Sequence, residues 1–65
     1  MREIGFVVVE YNQASHRPSI VCGGDIYDSL EDAAFDATNL GIEYRDSGRW
    51  ERVAVARVVL VTEPT

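Results

Sequence analysis

The segment Cys22-Gly23-Gly24-Asp25 joins a thiol to a flexible turn, an arrangement that a nucleophilic cysteine would require. A catalytic cysteine also needs a base or a helix N-terminus to lower its pKa. His16 is the sole histidine, and nothing in the residues between them brings it close to Cys22. We therefore interpret Cys22 as a buried strand cysteine.

Other reactive or ligand-binding patterns are also missing from the sequence. The glycine pair lacks the spacing of a phosphate-binding loop, and one cysteine with one histidine does not make a metal-ligand cluster. We expect a non-enzymatic protein with no catalytic residue, no cofactor and no metal.

Acidic side chains form a second pattern, a ridge along one predicted helix. Carboxylates four residues apart repel each other on a helix by a few tenths of a kcal/mol. A row of carboxylates resembles the phosphates of a nucleic acid, so nucleic-acid mimicry is one hypothesis, and a solvated face that keeps a small protein soluble is the simpler one. The acidic ridge comprises Asp28, Asp32, Asp36, Glu43 and Asp46, with Asn39 among them.

Composition narrows the classes of partner. The 65 residues carry 11 acidic and 6 basic side chains, a net charge of −5. Nucleic acid and anionic membranes attract positive patches, and the arginines near Trp50, at 45, 49 and 52, are the single candidate patch. We expect no nucleic-acid or membrane partner, no membrane span and no signal peptide. A lone cysteine is typical of a reducing compartment, so we expect a cytoplasmic location.

The pattern of apolar residues predicts one domain, 1–65, with three strands and one helix. Residues 3–11 form an apolar, β-branched run that predicts the first strand. A polar loop over 12–18 leads to a second strand over 19–22, which the glycine pair ends. Residues 50–62 predict the third strand.

The helix is predicted over 30–46 from local signals. Ser29 is a suitable N-cap, and Gly48 suits the position just after the helix. Apolar or small residues follow at helical intervals and predict the side that packs on the sheet. That stripe comprises Leu30, Ala33, Ala34, Ala37, Leu40, Gly41 and Tyr44.

The order strand, strand, helix, strand predicts an α+β fold. A right-handed crossover through the helix makes the second and third strands parallel. The first strand then fits between them, antiparallel to both. We predict a β-β-α-β fold, a three-stranded antiparallel sheet in the order 2-1-3 with one helix packed on one face.

The third strand is apolar on both faces, and one helix can cover only one of them. At about 3.3 Å per residue its 13 residues would reach about 43 Å, beyond a helix of about 25 Å. We place Ile4, Phe6 and Val8 toward the helix with four residues of the last strand, Ala54, Ala56, Val58 and Leu60. The open face is then predicted to comprise Val7, Val9, Tyr11, Val53, Val55, Arg57, Val59 and Val61.

An uncovered face built from these eight residues is a large apolar surface, and such a surface marks an interaction site. Small folds without disulfides or metals often rely on association. We therefore expect a homodimer, through the valine-rich face or through the edge of the last strand. Phe35 and Ile42, seven residues apart on the outer side of the helix, are candidates for a second contact with a partner protein.

The chain resembles small orphan proteins of high-GC actinobacteria and their phages in three segments. These are a valine-rich hairpin, a helix start of the form S-x-E-D-A-A at Ser29–Ala34, and a closing VARVV strand at Val55–Val59. For a phage protein, the resemblance implies binding to a host protein. It transfers no functional residues.

Together these patterns favour a small acidic interaction or regulatory protein that acts as a homodimer. The alternative is a small-molecule site, binding or catalytic, in a pocket at the dimer interface. Its predicted polar lining is Tyr11, His16, Cys22 and Arg57. Mimicry of nucleic acid by the acidic ridge is the third hypothesis.

Overall fold

The computed structural model describes residues 2–12, 14 and 17–62. Strand β1 spans Arg2–Tyr11, β2 spans Ser19–Ile20, helix α1 spans Leu30–Asp46, and β3 spans Arg52–Leu60. The strands form one antiparallel sheet in the order β2-β1-β3. The predicted α+β fold and strand order are confirmed.

Two strands are shorter than predicted. β2 has two residues, because the chain leaves the sheet and forms a short 3-10 turn at Cys22–Gly24. Cys22 therefore lies in this turn, half-buried, and the prediction of a buried strand cysteine is wrong. β3 has nine residues, about 30 Å at 3.3 Å per residue, so it exceeds the helix by less than predicted.

The helix bounds agree with the prediction because local contacts set both ends. The Ser29 hydroxyl accepts a hydrogen bond from the backbone N–H of Asp32 at 3.2 Å. After the last turn, Gly48 adopts φ +73° and donates its N–H to the carbonyl of Arg45 at 3.1 Å. Arg49 donates its N–H to the carbonyl of Tyr44 at 2.9 Å. These two bonds form a Schellman cap, which the left-handed glycine allows.

A β-bulge at the start of β1 was not predicted. The register shifts by one residue between Glu3 and Gly5. Gly5 is buried with φ +150°, and Tyr27 forms an isolated bridge with Phe6 next to it. The bulge brings the loop before the helix against the middle of the sheet.

The core is small. Val8 is fully buried in β1, and Ala33 and Tyr44 are the buried residues of the helix. The rest of the predicted helical stripe is half-buried, except Leu30, which is exposed at the first turn.

Candidate functional site

The pairing of β1 with β3 decides which side chains share a face. Val8 lies opposite Val55, and Val7 lies opposite Ala56. Residues directly opposite each other in an antiparallel pair point to the same side of the sheet. Val55 therefore shares a face with Val8, and Ala56 with Val7. The predicted assignment of β3 to the two faces is the reverse of the observed one.

Two side-chain hydrogen bonds identify the face that the helix covers. Tyr44, in the helix, donates its phenol to the carboxylate of Glu10 on the central strand. Tyr27, which pairs with Phe6, donates its phenol to Asp36 in the helix at 2.6 Å. The helix therefore lies over the face of β1 that carries Phe6, Val8 and Glu10. From β3, that face carries Val53, Val55, Arg57 and Val59.

The other face is less valine-rich than predicted. It keeps Val7, Val9 and Tyr11 from β1, whereas β3 contributes Ala54 and Ala56 near its centre and Val58 and Leu60 toward its end. Val7 is 5% exposed, although it lies on this face. Val61 lies beyond the end of β3 and is 71% exposed. This face is therefore a weaker interaction surface than the sequence indicates.

The outer edge of β3 is the longest strand edge without a neighbouring strand in the described residues. β3 is the last strand in the order β2-β1-β3, and no further strand lies beyond it in the described ranges 2–12, 14 and 17–62. Such an edge presents a row of unpaired N–H and C=O groups that can pair with another chain. Exposed apolar side chains flank it: Trp50 before β3 is 91% exposed, and Val59 near its end is 41% exposed.

A polar cluster fixes the start of β3 against the helix end. The Arg49 guanidinium contacts Glu10 at 3.4 Å and Glu51 at 3.2 Å, and its Cζ lies 3.8 Å from the centre of the Tyr44 ring. The hydrogen bond with Arg49 lowers the pKa of the Glu51 carboxyl. The hydrogen bond to Glu10, with burial, raises the pKa of the Tyr44 phenol. Trp50 lies between Arg49 and Glu51, the two residues of the ion pair, and its side chain is exposed to solvent.

A shallow groove of about 720 Å³ lies beside this cluster. The small-molecule hypothesis predicted a different lining. Tyr11, Cys22 and Arg57 do not line the groove, and His16 lies outside the described residues. The predicted pocket lies between two copies of the chain, and that hypothesis stays a prediction. The groove is lined by Asn12, Ala14, Arg49, Trp50, Glu51 and Arg52.

The acidic ridge is not a uniform row of free carboxylates. Asp28, Asp32, Glu43 and Asp46 are exposed, whereas Asp36 is half-buried and accepts the hydrogen bond from Tyr27. That bond raises the pKa of the Tyr27 phenol. Among the residues that the structure describes, no group of three or more His, Cys, Asp or Glu could hold a metal ion.

The outer side of the helix exposes two large apolar side chains. Phe35 is 67% exposed and Ile42 is 43% exposed. Residues seven apart lie two helical turns from each other, so both point the same way about 10 Å apart. Phe35 and Ile42, which lie outside the core stripe, are therefore accessible to a partner.

Comparisons with protein-family models, curated proteins and solved structures found no match. Within the described part of the chain, α1 is too short and too polar to cross a membrane.

Proposed function

We propose that the protein is a small, non-enzymatic interaction or regulatory protein that acts as a homodimer. The observation that carries the proposal is the nine-residue edge strand β3 with exposed apolar residues near both of its ends. Monomeric proteins protect such edges with short strands, charges or a covering loop. β3 is not short, and its two charged residues, Arg52 and Arg57, leave the apolar residues 53–56 and 58–60 between and beyond them.

The outer side of the helix supports binding of a second, different protein. Phe35 and Ile42 offer an apolar contact, and the exposed carboxylates of Asp32, Glu43 and Asp46 lie on the same helix. A partner with an apolar groove and basic residues beside it matches this surface. For a phage-encoded protein, that partner is a protein of the host cell.

Assembly is tested by measuring the mass in solution with light scattering. We expect about twice the chain mass of 7.2 kDa at micromolar concentration. A mass of one chain at this concentration would contradict the homodimer, and with it the interpretation of the β3 edge.

Partner binding is tested with the Phe35→Ser/Ile42→Ser double variant. Immobilised wild-type protein should retain a specific protein from cell extract, and the variant should lose most of it, because interface cores depend on a few large apolar side chains. Leu30→Ser is the matched control, since Leu30 is also an exposed apolar residue of α1 but lies on another side of the helix. Equal capture by all three proteins would rule out this surface.

A further inference from the structure

We infer that two copies pair through antiparallel β3 strands about a two-fold axis at Val55. This inference rests on the proposed homodimer and specifies its surface and register. In such a pair, two residues that lie opposite each other point to the same face of the sheet. Because side chains alternate between the two faces along a strand, an axis between two residues would pair side chains of opposite faces. The two-fold axis must therefore pass through a residue position. Five positions near the middle of β3 satisfy this condition, from Ala54 to Val58.

The charge of Arg57 distinguishes these five registers. An axis at Arg57 places two guanidinium groups directly opposite each other. An axis at Ala56 or Val58 places them on the diagonal, still within reach of long side chains. An axis at Val55 instead places Arg57 opposite Val53 of the second copy and diagonal to Glu51 of the second copy, the residue that directly precedes β3.

The remaining register, with the axis at Ala54, pairs fewer residues of the two strands. It places Arg57 opposite Glu51 of the second copy but aligns only residues 52–56 of the two β3 strands. The axis at Val55 aligns residues 52–58 and keeps the opposite charges within reach. Arg57 has capacity for this contact, because its side chain is 67% exposed and its present partner, Glu3, is 3.7 Å away.

The same register covers Trp50, the most exposed large apolar side chain among the residues that the structure describes. When the pairing with the axis at Val55 extends two residues beyond the start of β3, Trp50 lies opposite Leu60 of the second copy, and the two-fold axis repeats this contact at the other end. Aromatic and aliphatic side chains that lie opposite each other stabilise antiparallel strands. The charge pattern and the apolar pattern therefore favour one register.

The assembly also removes the long edge from the molecule. The two sheets become one sheet of six strands, with both helices on the same side. The outermost strands are then the two copies of β2, which has two residues. Very short edge strands are one of the ways in which proteins avoid further pairing.

Distances between spin labels test the register in the full chain. With Cys22→Ser removing the native thiol, labels at Arg52→Cys lie six residues apart along the paired strands, about 20 Å. Labels at Thr62→Cys lie 14 residues apart, about 46 Å. An axis at Ala56 would give about 26 Å and about 40 Å instead, so the two distances change in opposite directions as the axis moves.

A charge exchange provides a second measurement. Glu51→Arg alone and Arg57→Glu alone should each weaken dimerisation about fivefold. The double variant should recover the part of the loss that the contact between copies contributes, while the bonds of Glu51 with Arg49 and of Arg57 with Glu3 within each copy stay broken. Glu31→Arg, at an exposed site in the first turn of the helix, is the charge-matched control and should leave the affinity unchanged.

The outcomes separate the two proposals. A dimer mass with other label distances, or with no recovery in the double variant, overturns the register and leaves the homodimer in place. A single-chain mass overturns both.

Discussion

Replacing Gly5 with alanine tests whether the bulge of β1 holds the loop before the helix. A Cβ at this position would lie 2.6 Å from Cγ2 of Ile26 and 2.6 Å from the carbonyl oxygen of Tyr27. Ile26 is exposed and its side chain can turn away. The carbonyl cannot, because it accepts the Phe6 N–H at 2.9 Å while Tyr27 donates to the Phe6 carbonyl at 2.7 Å.

The cost of Gly5→Ala follows from two contributions. The φ of +150° costs about 1–3 kcal/mol in a residue other than glycine. Displacing the Tyr27 bridge removes up to two hydrogen bonds of about 1 kcal/mol each. We therefore expect a loss of about 3 kcal/mol, from a total of about 3–10 kcal/mol for a chain of this length.

The assay is urea unfolding followed by the circular dichroism of the helix, with all proteins at one concentration. Gly41→Ala is the matched control, because a Cβ there meets nothing within 4 Å and Gly41 lies inside the helix. It should stabilise the protein by about 1 kcal/mol. A loss below about 0.5 kcal/mol for Gly5→Ala would refute the argument that the bulge requires glycine.

Three further predictions concern single contacts. Tyr44→Phe removes the donor to Glu10 and should lower the free energy of unfolding by about 1–2 kcal/mol in the same urea titration. Tyr11→Phe is the control, because the Tyr11 phenol is half-buried on the other face of the sheet, and this variant should change the free energy of unfolding much less. Ser29→Ala removes the N-cap bond and should cost about 1 kcal/mol; an unchanged urea midpoint would mean that the cap contributes nothing. Stability should fall as the pH rises above 10. Tyr27 and Tyr44 have folded-state pKa values above the unfolded value of 10.0. Their contribution to stability is therefore complete below pH 10 and is lost as the phenols ionise in the folded protein. Thermal melts of wild type and the Tyr44→Phe variant across this range measure it, and equal slopes in the two proteins would exclude Tyr44 as a source.

The sequence by itself determined the elements whose signals are local. The helix begins after Ser29 and ends before Gly48 because a hydroxyl and a left-handed glycine satisfy the free groups at its two ends. The strand order was also predicted from the sequence, because a helix that joins two parallel strands leaves space for the first strand between them, antiparallel to both. The capping signals require no knowledge of distant residues.

Tertiary structure decided which side of β3 meets the helix. An apolar strand has no polar side to mark its outer face, so its alternation allows two assignments, and a register difference of one residue exchanges them. The observed register pairs Val8 with Val55 and follows the bulge at Gly5. The contact between Tyr44 and Glu10 joins residues 34 apart in sequence. Such contacts depend on how separate elements pack, and the order of residues along the chain does not encode that packing in any local pattern.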